Sequence, residues 1–351
     1  MSLPQAIREA GAQSPFSRWE RARVRAATRS LRLTPGRGPA GFTLVELLVV
    51  IVIIGILAGL ALGALSVTRQ SARVEKSRAT VTKLNHVVMQ IYNEYRYRRV
   101  PLSDAQIQTV AQAWFGYNPA SGPPSTKMVA TIRLAALRDL MRMEMPERRS
   151  DLFAPGTNNV RGSFVPGLLP PTLYQAYVSR AAAMNTKAPG ECLYMIVTLA
   201  GGEDARQQFS DDEIADTDGN GLPEFIDGWG RPIFWLRWAP GFNESDLQPN
   251  IVPWGDLAQM QAASEQEHDP FDPRRVDFAV GPLDAAKNSP RGWRLVPLIY
   301  SAGPDGVYGL SEEFTSGSAY IWANDTYKQN WGLPIDPGHY DNIDNHRLEV
   351  R

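Results

Sequence analysis

An apolar stretch near the N-terminus constrains this chain more than any other feature. Between Leu47 and Thr68 there is no charged residue, and the 19 residues of Leu47–Leu65 are all Leu, Val, Ile, Ala or Gly. At about 1.5 Å per residue, a helix of that length crosses a hydrocarbon core of roughly 30 Å. The sequence therefore predicts one membrane-spanning helix.

Charge is distributed unevenly around this stretch. The first 41 residues contain eight arginines and two glutamates, whereas the rest of the chain has 28 basic and 35 acidic residues. Cytoplasmic flanks of membrane helices are enriched in Lys and Arg, so we expect a cytoplasmic N-terminus and an external chain after Arg69. The acidic remainder argues against nucleic-acid binding.

A single cysteine, Cys192, excludes an intramolecular disulfide.

One acidic residue, Glu46, lies at the start of the apolar segment. A carboxylate near the bilayer interior costs roughly 2.5 to 3.5 kcal/mol on insertion scales, so such a residue is a functional candidate.

A secretory signal has a shorter apolar stretch of about 7 to 15 residues and a small-residue cleavage site after it. Here the small-residue sequence "GPAG" precedes the run. A plain membrane anchor leaves Glu46 unexplained.

The segment "GFTLVELLVVIVIIGIL" resembles the class III signal of type IV pilins and type II secretion pseudopilins. That pattern consists of Gly, Phe, three mostly apolar positions and Glu. The resemblance implies that a prepilin peptidase cuts between Gly41 and Phe42 and N-methylates Phe42. It also implies that the new amine of one subunit pairs with Glu46 of a neighbouring subunit, where two charges that are separately costly in lipid neutralise each other.

The helix is predicted to continue well beyond the membrane. Proline and glycine are absent between Ser66 and Pro101, and apolar residues recur there at three- and four-residue steps. A helix from Phe42 to about Arg99 would be about 87 Å long at 1.5 Å per residue. Within the membrane part, a four-residue glycine repeat permits close approach of another helix; its members are Gly55, Gly59 and Gly63.

We predict an α+β fold. The long N-terminal helix, with a membrane half and an amphipathic half, packs on a C-terminal antiparallel β-sheet domain with a helical insertion. Two segments rich in β-branched and aromatic residues, Ile233–Trp238 and Leu295–Tyr300, are the predicted strands. The predicted boundaries are a basic leader at 1–41, a transmembrane and polymerisation helix at 42–68, an amphipathic stalk at 69–99, the insertion at 100–205 and the sheet domain at 206–351.

An acidic loop in the sheet domain is a candidate calcium site. The stretch "DTDGNGLPEFID" follows the spacing of an EF-hand-type loop, in which short oxygen side chains wrap a hard cation. Pro223 and the short Asp227 at the last position depart from that pattern, and a metal-free Asx-rich turn is the alternative. The candidate ligands in this loop are Asp216, Asp218, Asn220 and Asp227.

Two later segments extend the resemblance. "DGWGRPIFWLRWAPG" resembles a pseudopilin strand entry, which offers Asp227 a role in the strand motif instead of the loop. "LVPLIYSAGPDGVYG" resembles a strand and loop of the major pseudopilin, where that family has a structural calcium ion. The resemblance gives Asp305 as a ligand there. The second acidic ligand stays open among Glu312, Glu313, Asn324 and Asp325.

The resemblance implies a structural subunit of a type II secretion machine or a related type IV filament. Its partners would be prepilin peptidase, other pilin or pseudopilin subunits and the inner-membrane assembly platform. The protein would be single-pass in the inner membrane, with its C-terminal domain and the assembled filament in the periplasm. The alternatives are a type IV pilin for adhesion, motility or DNA uptake, and a membrane-anchored calcium-dependent binding module or enzyme. Phosphate-loop, Gly-x-Ser-x-Gly and His-Glu-x-x-His motifs are absent from the sequence, so we predict no enzymatic activity.

Overall fold

The computed structural model describes residues 41–154, 156–184, 188–250, 257–276, 292–311 and 331–347. Contacts divide the chain into two compact units, Met1–Ala61 and Leu62–Arg351. The predicted leader lies outside the described residues except for Gly41.

One helix, α1 (Leu44–Glu94), contains the apolar stretch and continues past it. A 3-10 turn, Tyr95–Tyr97, follows directly and precedes Pro101. The predicted helix from Phe42 to about Arg99 is therefore confirmed to within a few residues at each end. Among the described residues this is the one helix long and apolar enough to cross a membrane.

The second half of α1 supplies one wall of the main hydrophobic core. Val81, Leu84, Val88 and Tyr92 follow steps of three and four residues and are almost completely buried. They pack in one cluster with aromatic and aliphatic side chains from the sheet, including Trp235. Burying each such side chain contributes roughly 1.5 to 3 kcal/mol, so the amphipathic pattern fixes which face of the helix meets the domain.

The predicted insertion is helical. It contains α2 (Asp104–Phe115), α3 (Thr126–Glu144), α4 (Thr172–Arg180), α5 (Pro189–Met195) and α6 (Gly202–Arg206). Ser103 begins α2 with a capping box in which it exchanges hydrogen bonds with Gln106. A second apolar cluster lies among these helices. Helix α5 contributes to both clusters, through Leu193 in the main core and Cys192 in the second one.

The strands are short and antiparallel. β1 (Ile214–Ala215) pairs with β2 (Glu224–Phe225), and a second sheet has the order β3-β4-β5. That sheet consists of β3 (Phe234–Leu236), β4 (Leu298–Ser301) and β5 (Ile343–Asp344). A further helix, α7 (Leu257–Gln266), lies between β3 and β4 in sequence. The predicted α+β class with an antiparallel sheet is confirmed.

Buried ion pairs join the insertion to the sheet. Arg237, which follows β3, lies 3.4 Å from carboxylate oxygens of both Glu147 and Asp151, and all three side chains are fully buried. The Arg237 backbone amide donates to Glu147 at 2.8 Å. Removing one member of such a group leaves an uncompensated buried charge. These contacts therefore tie the segment after α3 to the end of β3.

Candidate functional site

The N-terminus of α1 is closed by a capping box between Thr43 and Glu46. The Thr43 hydroxyl accepts a hydrogen bond from the Glu46 amide at 3.2 Å. In return, Glu46 Oε2 accepts from the Thr43 amide and the Thr43 hydroxyl, each at 2.9 Å. This reciprocal arrangement satisfies backbone donors that the first helical turn cannot pair by itself.

The capping box gives Glu46 a local role that the sequence interpretation missed. The pattern Thr-x-x-Glu before an apolar run is a known helix-start signature and was readable in "TLVE". Unsatisfied backbone donors are costly in a bilayer, so a cap at this end of a membrane helix stabilises the helix. The predicted partner, the terminal amine of a neighbouring subunit, stays a prediction.

The predicted cleavage junction lies just before this cap. Gly41 and Phe42 precede the first helical residue, and both are exposed. The Phe42 side chain is 79% exposed. The predicted scissile bond therefore lies outside α1.

The apolar part of α1 makes no contact that covers it among the described residues. Its large aliphatic side chains from Leu44 to Val67 are between 42% and 81% exposed. The three glycines of the four-residue repeat have nothing within 4 Å of the position a Cβ would take. Apolar surface of this extent needs lipid or other protein around it, and the described residues do not supply that cover.

Comparison with known proteins identifies the same segment. The family described as prokaryotic N-terminal methylation motif matches residues 37–62. Neither the curated proteins nor the solved structures contain a significant match to this chain. The matched motif indicates a type IV pilin-like or pseudopilin precursor, a structural subunit that is processed by prepilin peptidase and assembles with other pilin subunits. With one helix long and apolar enough to cross a membrane among the described residues, the chain fits a membrane-anchored, single-pass protein.

The acidic loop of the sheet domain is organised by Asp216. Its Oδ1 accepts from the amides of Gly219 and Asn220, at 2.8 and 3.2 Å, and its Oδ2 accepts from Gly221 at 2.8 Å. These amide bonds, led by that of Gly221, hold the pKa of Asp216 below its ordinary value. Asp216 therefore shapes the turn with both of its oxygens.

Asp227 lies in the strand-entry turn. Its Oδ1 accepts from the amides of Trp229 and Arg231, at 2.8 and 2.9 Å. Its Oδ2 accepts from the Ser301 hydroxyl at 2.7 Å, on the neighbouring strand β4. The sequence offered Asp227 two roles, as a ligand in the calcium loop or as part of the strand entry before β3. These contacts correspond to the strand entry.

Asp305 lies close to a second acidic residue, Asp341. The Asp305 amide donates to Asp341 Oδ2 at 3.1 Å, while Asp305 Oδ1 accepts from the Val307 amide at 2.8 Å. Burial, together with the charge of Asp305, raises the pKa of Asp341. The four candidates for a second ligand in this loop, Glu312, Glu313, Asn324 and Asp325, lie outside the described residues.

One of the five predicted metal ligands, Asp218, lies in a cluster of three carboxylate side chains. The sequence did not suggest its two partners. Those partners are Glu191 on α5 and Glu224 on β2. Glu191 precedes the acidic loop by more than 20 residues and belongs to the helical insertion, so no local spacing pattern connects it to Asp218. Only the packing of α5 against β2 places them together.

Proposed function

We propose that this chain is a pseudopilin subunit of a type II secretion machine or a related type IV filament. Prepilin peptidase removes the basic leader after Gly41 and methylates Phe42. The processed chain then assembles through α1 into a periplasmic filament, with its folded domain outside the inner membrane. The inner-membrane assembly platform and other pseudopilins are its partners.

One observation supports this proposal above the others. An exposed Gly41–Phe42 junction lies immediately before a capped helix whose aliphatic side chains stay exposed among the residues that the structure describes. Filament assembly gives that helix two environments in turn, lipid before assembly and neighbouring helices after it. Close packing of helices favours small residues, which the glycine repeat supplies at Gly55, Gly59 and Gly63.

The distribution of charge along the chain supports an orientation with the N-terminus in the cytoplasm. The arginine-rich leader favours a cytoplasmic N-terminus. The acidic chain after it then folds on the periplasmic side, where a protein with one cysteine relies on packing and buried ion pairs for its stability.

The decisive experiment is the intact mass and N-terminal sequence of the protein extracted from native membranes. An N-methylated Phe42 at the N-terminus is the expected result. A retained Met1, or a cut after the apolar run, would contradict the proposal. Export of secreted enzymes in a deletion strain then distinguishes a secretion subunit, whose loss blocks export, from a pilin for motility or adhesion, whose loss leaves export intact.

A further inference from the structure

Three carboxylates from separate parts of the chain converge beside the β1–β2 hairpin. Glu191 comes from α5, Asp218 from the loop after β1, and Glu224 from the first position of β2. One oxygen from each lies within 4.8 Å of the others. Helix α5 can approach β2 this closely because residue 190 is glycine, whose Cβ would lie 3.2 Å from the Glu224 side chain.

Two of these carboxylates are buried. Glu191 is 2% exposed and Glu224 is 5% exposed. Among the described residues, Glu191 Oε2 is buried without a hydrogen-bond partner, while its Oε1 accepts from the Asn220 side-chain amide. Buried charges of this kind are normally paired or coordinate a metal ion.

Electrostatics at this point favour a cation. The carboxylates of Asp218 and Glu224 lie beside that of Glu191, so three acidic groups share one small volume, and two of them are almost fully buried. Repulsion among these groups is relieved when a positive ion lies between them.

We propose that Glu191, Asp218 and Glu224 bind one divalent cation of the calcium type. Carboxylate oxygens are the ligands that hard cations prefer, and a calcium ion binds them at about 2.3 to 2.6 Å. Oxygens on opposite sides of such an ion are about 5 Å apart, which accommodates the spacing here. Magnesium usually keeps several waters and binds one or two carboxylates, so a group of three protein carboxylates favours calcium.

This site differs from the EF-hand-type loop expected from the sequence. Asp216 uses both oxygens to hold the turn, and Asp227 is bonded to Ser301 in the strand-entry turn. The cation instead joins the insertion, through Glu191, to the β1–β2 hairpin. The inference does not rest on the proposed function, since it concerns only the folded domain.

Calcium binding to the full-length chain in detergent tests the proposal. After chelator treatment, calcium is titrated by isothermal calorimetry, and melting is followed with and without the ion. Glu191→Gln and Asp218→Asn should each lose one equivalent of bound calcium. Glu203→Gln, an exposed glutamate of the nearby helix α6, is the matched control and should bind as the wild type does.

Melting temperatures with and without calcium distinguish a metal-binding role of Glu191 from a purely structural one. In calcium, Glu191→Gln should melt below the wild type, but in chelator it should melt at or above it, because the substitution removes repulsion. The proposal would be overturned if the wild type showed no heat of calcium binding. It would also be overturned if the variants bound as many calcium ions per chain as the wild type. Destabilisation by Glu191→Gln that is equal in calcium and chelator, or tighter binding of magnesium than of calcium, would also overturn it. Asp218 is exposed, so its variant gives the answer even where Glu191→Gln fails to fold.

Discussion

Gly228 lies directly against the backbone of Arg73 on α1. A Cβ at Gly228 would be 2.3 Å from the Arg73 carbonyl oxygen and 2.7 Å from its Cα. The Gly228 amide also donates to the Ser77 hydroxyl at 2.8 Å, and the Ser77 side chain is buried. The turn that enters β3 is therefore docked on the amphipathic half of α1 with no space for a side chain.

We expect Gly228→Ala to destabilise the folded domain by about 1 to 3 kcal/mol, because the added methyl group overlaps helix backbone that cannot move aside. The measurement is the melting temperature of the full-length chain in detergent. Gly63→Ala is the matched control, since nothing lies within 4 Å of its Cβ position. Equal melting temperatures for the two variants would contradict the close packing described here.

Glu213 predicts a pH dependence of stability. Its carboxylate is 6% exposed and accepts from the Thr80 hydroxyl at 2.6 Å and from Lys83 Nζ at 2.9 Å. Burial alone would raise the pKa of Glu213, but these hydrogen bonds outweigh it and lower the pKa from its ordinary 4.5. Because the folded pKa is depressed, the stabilisation is complete above pH 4.5 and is lost as pH falls through the lower, folded value.

Glu213→Gln should cost about 1.5 to 3 kcal/mol at pH 7, as expected for hydrogen bonds to a charged group. The difference from the wild type should shrink as pH falls below 4.5. Denaturant unfolding at several pH values measures it. Glu75→Gln, at an exposed ion pair with Arg78, should cost less than about 1 kcal/mol. A difference for Glu213→Gln that does not change with pH would exclude this role of its charge.

Glu46 offers a test that separates its two roles. Glutamine can replace glutamate in a capping box, so Glu46→Gln keeps the cap and removes only the charge, whereas Glu46→Ala removes both. We expect both variants to insert in the membrane and neither to enter filaments, because assembly needs the carboxylate to neutralise a neighbouring amine. Carbonate extraction and the yield of cross-linked filaments are the measurements. Normal incorporation of Glu46→Gln would reduce Glu46 to a helix cap.

Gly41 sets the cleavage position. Replacement by leucine should block the peptidase, because a bulky side chain then occupies the position before the cut. Intact mass would then show the full leader retained. Gly38→Leu, three residues away in the same leader, is the control and should be cleaved normally. Normal removal of the leader from the Gly41 variant would place the junction elsewhere.

The sequence was most informative where local patterns determine structure. The apolar run and the absence of helix breakers located α1, and Ser103 marked the start of α2. The two predicted strands correspond to β3 and β4 but are shorter than predicted, and β1, β2 and β5 were not predicted. Leu295–Tyr300 forms a ladder only from Leu298, because Pro297 has no amide to donate and restricts the residue before it.

Contacts distant in sequence could not be predicted in the same way. Spacing placed Asp227 at the last position of a calcium loop, and the resemblance offered it a role in the strand entry, but neither pattern could give its hydrogen bond to Ser301 on a distant strand. The approach of Glu191 to Glu224 depends on how α5 packs, and no pattern within a short window contains that information. The Thr43–Glu46 cap follows a short sequence pattern and was predictable, whereas the cost of a carboxylate in lipid indicated only an external partner for Glu46.

Helix α5 belongs to both apolar clusters. Removing residues 100–205 would therefore strip Leu193 and Ile196 from the core that holds Trp235 and Ile299, and it would leave Arg237 without Glu147. The insertion and the sheet should consequently melt in one calorimetric transition. A shortened gene that keeps only the stalk and the sheet should yield an aggregating product instead of a smaller pilin-like domain.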